Sequence, residues 1–438
     1  MLKLMKSIEG ACACGKCHAF GSEVISGKGL LANAAEYVCR LGGSRPYVIC
    51  DENTHAAAGA RLESVLEHAG MEYSLYMFPC SPLPNEEYIG LATDNKPDRC
   101  DIVIAVGSGV INDIGKLVSL HYGLPYIIFA TAPSMDGYAS STSSVVIGGL
   151  KKSLPSHCAD IIVGDVDVLK TAPTRMAVSG IGDMLAKYIS ICDWRISNII
   201  TGEYYCERIA QLVRDALAAC TENIEGLLAS DDDAVQKAFD ALCVSSVAMT
   251  YAGASRPASG VEHYISHIID MRNEEFGTPA ELHGIQCGIA TLIAARLYGV
   301  ILNTEPDRER ALAHAAAFSY DERKEALRAL LGKGAEAMIE LEAREGKFSA
   351  DAHRERLEVI ISNFDKIKQV IREEIPSPEY LDSLACRLGL EKDYAYIGLG
   401  TEDVQNAFIF SGDIRDKYVL SRLFWDLGIT DLALDVIE

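Results

Sequence analysis

Residues 101–123 read DIVIAVGSGVINDIGKLVSLHYG, and this stretch decides the fold class. DIVIAVG (101–107) is a nearly continuous apolar run of strand length, as a strand buried on both faces requires. The turn Gly107-Ser108-Gly109 follows, and INDIGKLVSLHYG then spaces its apolar residues as a helix does. Buried strand, glycine turn and helix are the start of a βαβ unit, from which parallel sheets with helices on both faces are built.

The same alternation extends outward. PYVIC (46–50), YSLYMF (73–78) and PYIIFA (125–130) read as strands, and the Ala-rich stretch from His55 to Ala69 reads as a helix. SSVVIG (143–148) and DIIVGD (160–165) read together as a later, hairpin-like insertion. After Pro173 the pattern is helical almost to the end, as in ERIAQLVRDALAACTENIEGLLAS. The expected organisation is an α/β, Rossmann-like domain over residues 1–172 and an all-α domain over residues 173–438. A substrate site is expected in a cleft between them.

Composition bounds the function. Of 438 residues, 49% are apolar and 23% charged, and the formal net charge is -22. A surface that acidic repels phosphate backbones and anionic lipid, so neither a nucleic-acid partner nor membrane insertion is expected. The first twenty residues, MLKLMKSIEGACACGKCHAF, lack the sustained apolar core of a signal peptide. The expected compartment is therefore the cytoplasm, with the fourteen cysteines reduced.

Three local patterns carry candidate chemistry. The first is Gly107-Ser108-Gly109-Val110-Ile111-Asn112-Asp113, where a helix N-terminus offers N–H donors to a diphosphate. It is an incomplete dinucleotide fingerprint, since Asn112 stands at the third glycine position, and a plain strand-to-helix turn also accounts for it. Asp51, at the end of PYVIC, is placed to accept from an adenosine ribose, which favours NAD over NADP, or else is simply solvated. The second pattern is the loop TAPSMDGYAS (131–140), which offers Thr131, Ser134, Ser140 and the Asp136 carboxylate beyond a strand's carboxyl end. The third is a set of imidazoles with a carboxylate. His263 and His267 share one helix face in EHYISH, His283 lies in ELHGIQCG, and Asp183 lies in GIGDMLAKY. One carboxylate with two or three imidazoles suits a divalent metal with an open position; helix caps or a polar core are the alternative.

Cys12, Cys14, Cys17 and His18 form a fourth cluster, CxCxxCH. Cys14 to His18 matches the haem-attachment spacing, but covalent haem needs export. A zinc half-site lacks a matching CxxC downstream. The expected reading is an incidental cluster of reduced thiols.

In this order, VGSGVINDIGK, TAPSMDGYASSTS, SGIGDMLAKY, EHYISH and LHGIQCG resemble the glycerol-1-phosphate dehydrogenase family, its bacterial branch above all. That family sits among the metal-dependent alcohol dehydrogenases, glycerol dehydrogenases and dehydroquinate synthases. The resemblance covers most of residues 30 to 300. It implies a dehydroquinate synthase-like architecture and the reversible reduction of dihydroxyacetone phosphate to sn-glycerol 1-phosphate by NAD(P)H. It also implies metal ligands at Asp183, His263 and His283, with Asp183 touching substrate as well. His267 and Asp136 would contact substrate oxygens, with His267 relaying a proton. Gly107 through Asp113, Thr131, Ser134 and Ser140 would line the cofactor, with Asp51 at its adenosine end. Iron-type alcohol dehydrogenases carry a histidine four residues after the metal-binding aspartate. Lys187 stands there, so the ion is left open among zinc, nickel and iron. The substrate phosphate needs cations, for which Lys151, Lys152, Lys187 and Arg256 are candidates. A homo-oligomer, a dimer first, is expected. The alternatives are a glycerol or polyol dehydrogenase acting on an unphosphorylated substrate, and a dehydroquinate-synthase-like lyase.

Overall fold

The structure, a computed structural model, describes residues 2–148 and 150–438, the side chains at 150–153 excepted. Ten strands are seen among the described residues: β1 (Gly10–Ala11), β2 (Cys17–His18), β3 (Glu23–Gly27), β4 (Pro46–Asp51), β5 (Ser74–Phe78), β6 (Ile102–Gly107), β7 (Tyr126–Ala130), β8 (Thr142–Ile147), β9 (Leu150–Pro155) and β10 (Ile161–Asp165). Six of them form one sheet in the order β3-β10-β7-β6-β4-β5, and every pairing within it is parallel. Every residue of β4, β6, β7 and β10 is buried, whereas β3 and β5, at the edges, are mostly half-buried. The unbroken apolar runs of the inner strands follow from helices covering both faces.

One expectation is corrected. DIIVGD is not part of the insertion: β10 runs between β3 and β7 in the main sheet. The hairpin is β8 with β9, antiparallel. A short apolar run reads alike in a sheet and in a hairpin, so only the pairing separates them.

The sheet order also places a ligand crevice. The chain passes from β4 out to β5, then returns to β6 on the other side of β4. The direction of winding reverses between β4 and β6, and ligands of open α/β sheets lie beyond the carboxyl ends of strands at such a point. Asp51 ends β4 and Gly107 ends β6.

Six helices matter below: α1 (Gly109–Tyr122), α2 (Thr174–Leu185), α3 (Lys187–Thr201), α4 (Asp232–Ala252), α5 (Val261–Phe276) and α6 (His283–Leu302). Contacts divide the chain into two compact units. One comprises the residues up to Met184 together with Gln211–Ala254; the other comprises Leu185–Ala210 and Ser255–Glu438. The first holds the sheet, α1 and α4. The second holds α3, α5 and α6 and is helical throughout its described residues. By length and composition alone α6 could cross a membrane, but 78% of its apolar window is buried inside the protein, as in a core helix.

Close packing of α1 on the sheet depends on Gly115. A Cβ there would lie 2.6 Å from the Tyr126 Oη and 2.8 Å from its ring. Tyr126 is fully buried and donates to the Asn112 side-chain oxygen at 3.0 Å, so it has little freedom to yield. Gly115→Ala is therefore expected to lower the unfolding free energy by about 1–3 kcal/mol, the usual cost of overpacking. Urea unfolding would show it as a lower midpoint; an unchanged midpoint would mean that Tyr126 moves aside at no cost.

Candidate metal and cofactor site

In the first unit, the turn after β6 is built for close approach. Ser108 stands at the start of α1 without a side-chain capping bond, and a Cβ on Gly107 would lie 2.5 Å from that of Ile111. Ile111 and Asn112 are buried, Ser108 and Val110 half-buried. Asn112 faces inward: its amide donates to the Gly137 carbonyl at 3.3 Å and its oxygen accepts from Tyr126. The glycine that lets helix and sheet meet is therefore Gly115, three residues beyond the position expected from the fingerprint. Asp113 accepts from Ser144 N at 3.1 Å and from Lys116 Nζ at 3.3 Å, tying α1 to β8.

Lys116 is a residue that the sequence reading missed. It is fully buried, and its ammonium also donates to the carbonyls of Gly137 (2.9 Å) and Thr142 (3.1 Å). It pins the loop after β7 at two points. Along that loop Thr131 N donates to the Gly107 carbonyl at 3.1 Å, and the Ser134 carbonyl accepts from Ser179 Oγ at 3.0 Å. Ser140 bonds Thr142, its hydroxyl 2.9 Å from the threonine's. At the loop's centre Asp136 N donates to Asp183 Oδ2 at 3.0 Å, and Asp136 Oδ2 accepts from Ser245 Oγ at 2.8 Å. Ser246 donates to the Asp136 carbonyl. The structure thus joins two of the expected substrate-contacting residues, Asp136 and Asp183, the latter fully buried near the end of α2. Asp51 acts locally, its Oδ1 accepting from Thr54 N at 2.8 Å and so capping the short helix Glu52–Thr54.

In the second unit, α5 and α6 pack together and gather the three imidazoles. The ring centroids of His263 and His283 are 5.1 Å apart, those of His267 and His283 5.7 Å with the rings nearly parallel, and those of His263 and His267 6.4 Å. Donor atoms of His263, His283 and Cys287 lie within 4.8 Å of one another, as do those of His267, Asp270 and His283. Imidazole, carboxylate and thiol donors at this spacing fit a divalent transition metal. Cys287 and Asp270 went unread in the sequence, although each stands one helical turn from a histidine, Cys287 four residues after His283 and Asp270 three after His267. Burial raises the Cys287 thiol, but the imidazoles of His263 and His283 outweigh it and hold the thiol below its ordinary value.

Each of two imidazoles is oriented by a neighbour. His263 Nδ1 donates to Glu262 Oε1 at 2.8 Å, which presents Nε2 as the lone-pair nitrogen. His283 Nδ1 is 3.0 Å from Ser266 Oγ, and Gln286 Nε2 holds both Ser266 (2.9 Å) and Asp270 (2.8 Å). Asp193, from α3, accepts from Val261 N at 2.8 Å and from Tyr298 Oη at 2.6 Å, fixing the start of α5 against α6. Burial and the nearby Glu262 carboxylate push Asp193 up to about 7. Glu262→Gln should weaken metal affinity by about 10–100-fold while the fold persists. Competition against a metal-sensitive dye measures this; unchanged affinity would mean that Glu262 does not orient His263.

The cation candidates separate. Arg256 is buried and spent on Glu203 (2.7 Å), the Tyr418 carbonyl (2.9 Å) and Ser197 Oγ (3.1 Å), which removes it as a phosphate ligand. Lys187 Nζ donates to the Ala258 carbonyl at 3.1 Å. The side chains of Lys151 and Lys152 lie outside the described residues.

Comparison with known proteins bears on the family and the fold. Residues 25–173 match the family model described as iron-containing alcohol dehydrogenase. A glycerol-1-phosphate dehydrogenase [NAD(P)+] of Bacillus subtilis (strain 168) is 34% identical over 285 residues, 63% of this chain and 71% of that protein. One from Pyrococcus furiosus is 36% identical over 282 residues, 64% of this chain and 80% of its own. In fold, the chain matches the crystal structure of a probable glycerol dehydrogenase from Sinorhizobium meliloti 1021. The TM-score is 0.60 at 18% identity, covering 96% of this chain and 98% of the other. The fold is thus shared across several dehydrogenases, while sequence identity of this depth and extent singles out one of them: the chain belongs to the glycerol-1-phosphate dehydrogenase family.

Proposed function

We propose that this protein reversibly reduces dihydroxyacetone phosphate to sn-glycerol 1-phosphate, using NAD(P)H and a divalent metal. The observation that carries the reading is the convergence of His263, His267 and His283, two of them oriented through Nδ1 by Glu262 and Ser266. Family membership supplies the substrate.

Asp183, His263 and His283 would hold the metal, which when bound supplies Lewis acidity to the substrate's C2 oxygen. Zinc, nickel and iron all suit this donor set. The chain's own groups do the rest. Glu262 and Ser266 hold their imidazoles in one orientation, so that little rearrangement is needed when substrate arrives. The Asp136 N–H donates to Asp183 and fixes that carboxylate, while Ser245 fixes the Asp136 side chain for contact with a substrate oxygen. His267 would exchange a proton with the substrate hydroxyl, and NAD(P)H when bound would supply the hydride chemistry. Gly107 through Asp113 would line the cofactor, with the N–H groups of the α1 N-terminus up to Ile111 offered to its diphosphate, Asn112 N being bonded to the Ser108 carbonyl; Thr131, Ser134 and Ser140 line its other side. Asp51 lies at the adenosine end, where one carboxylate oxygen is already committed to Thr54 N.

Oxidation assays with NAD+ test this reading against the polyol alternative. The expected kcat/KM for sn-glycerol 1-phosphate exceeds that for glycerol by at least about 100-fold, because a site built to hold a phosphate leaves buried donors unpaired without one. The enantiomer, sn-glycerol 3-phosphate, should be a poor substrate. Comparable rates on glycerol would transfer the protein to the polyol dehydrogenases.

A further inference from the structure

The CxCxxCH segment is not absorbed by the catalytic reading, and the structure gives it a shape. Strand β1 pairs antiparallel with β2, Gly10 opposite His18 and Ala11 opposite Cys17. Between them the chain turns tightly: Cys12 N donates to the Lys16 carbonyl and Gly15 N to the Cys12 carbonyl, both at 3.0 Å. Gly15 has φ +86, the left-handed conformation that glycine adopts without strain. The turn brings one donor atom from each of Cys12, Cys14 and His18 within 4.8 Å of one another. Cys14 Sγ lies 3.5 Å from His18 Nε2. Ligands of a tetrahedral zinc, at its usual bond lengths to sulfur and nitrogen, stand about 3.6 Å apart. Cys17, at the neighbouring strand position, is exposed and is not among these donors.

The hairpin is short. Each strand is only two residues long, and a hairpin of that size is not stable by itself in water. His18 is nevertheless buried, its ring 5.6 Å from that of Tyr251 on α4, and Lys16 Nζ donates to the Ala252 carbonyl at 2.7 Å. A metal joining residues on both sides of the turn would add to that hold, as it does in small zinc-held motifs. We propose that Cys12, Cys14 and His18 bind a zinc ion, separate from the catalytic metal, that fastens the N-terminal hairpin onto the end of α4. Two thiolates and one neutral imidazole balance the ion's charge.

The test does not depend on the proposed reaction. Protein produced in zinc-supplemented medium is assayed for metal as wild type, as C12S/C14S and as H283A. The double serine variant should lose one equivalent of zinc and keep its turnover. H283A should lose the catalytic equivalent alone. After cobalt substitution, the thiolate-to-metal absorption band should persist in H283A and fall in C12S/C14S. Should the serine variant fold poorly, the wild type answers alone. Alkylation of Cys12 and Cys14, mapped by mass spectrometry, should be slow with zinc bound and fast after chelation. Unchanged zinc content in C12S/C14S would overturn the site. So would alkylation rates indifferent to chelation, or a Cys12–Cys14 disulfide in the protein as purified.

Discussion

Replacing His283 with alanine should remove metal and turnover together. His283 is the first residue of α6, and its ring lies within 6 Å of both other imidazoles, centroid to centroid. Ser266 and Gln286 serve as its support, and it is the one residue common to both donor groups, His263–His283–Cys287 and His267–Asp270–His283, so its loss leaves each a ligand short. Lewis-acid stabilisation is worth several kcal/mol, so the loss should be at least about 10³-fold in kcat/KM. Metal analysis and steady-state kinetics on one preparation would check both halves. His267→Ala is the control: it should retain metal and lose turnover, because its proposed role lies with the substrate proton. Full activity in H283A, or metal loss in the His267 variant alone, would reverse the two assignments.

Gly180→Ala should damage the other half of the site. A Cβ on Gly180 would stand 2.0 Å from the Pro133 carbonyl oxygen and 3.1 Å from Leu242 Cδ1. The first obstacle is backbone, held by proline, and cannot rotate away as a side-chain tip could. Either α2 or the 131–140 loop must shift. Asp136 and Asp183 lie on those two segments and are joined by one hydrogen bond of 3.0 Å, so the shift is read directly at the two proposed substrate contacts. Overpacking costs about 1–3 kcal/mol in stability. Displacement of about 1 Å at positioning groups can cost about 100-fold in rate. The expected variant is folded, less stable and slow, with the loss in kcat rather than in metal content. A variant as active as the parent would show that the loop does not position Asp136 and Asp183.

The parts of this protein that were legible in its sequence were those whose residue pattern has one physical reading. Four inner strands are unbroken apolar runs, and each was placed as a strand by hydrophobicity alone. Only for β10 did the run mislead, because pairing partners leave no mark on a short apolar segment. The glycine turn was legible as a turn, but its third close-packing position was not: Gly115 rather than Asn112 meets the sheet, a fact of helix-on-strand geometry. His263 and His267 announced themselves by sharing a helix face. Their supports did not. Glu262 precedes His263 by one position, which periodicity reads as a different face, yet a carboxylate can reach back to the adjacent ring. Lys116 was hidden for the opposite reason. A lysine on an amphipathic helix reads as solvated, and only the converging carbonyls of Gly137 and Thr142 explain its complete burial. Second-layer groups of this kind are defined by tertiary partners, so no local pattern could have named them.

The central claim is that metal bound in this fold directs reduction of a phosphorylated triose. Its most direct test is NADH oxidation with dihydroxyacetone phosphate, run on chelated protein and again after zinc, nickel or iron is restored, with dihydroxyacetone in parallel. The account predicts no activity after chelation and recovery on the phosphorylated ketone with at least one of these ions. Activity that survives chelation, or that recovers on dihydroxyacetone alone, would contradict it.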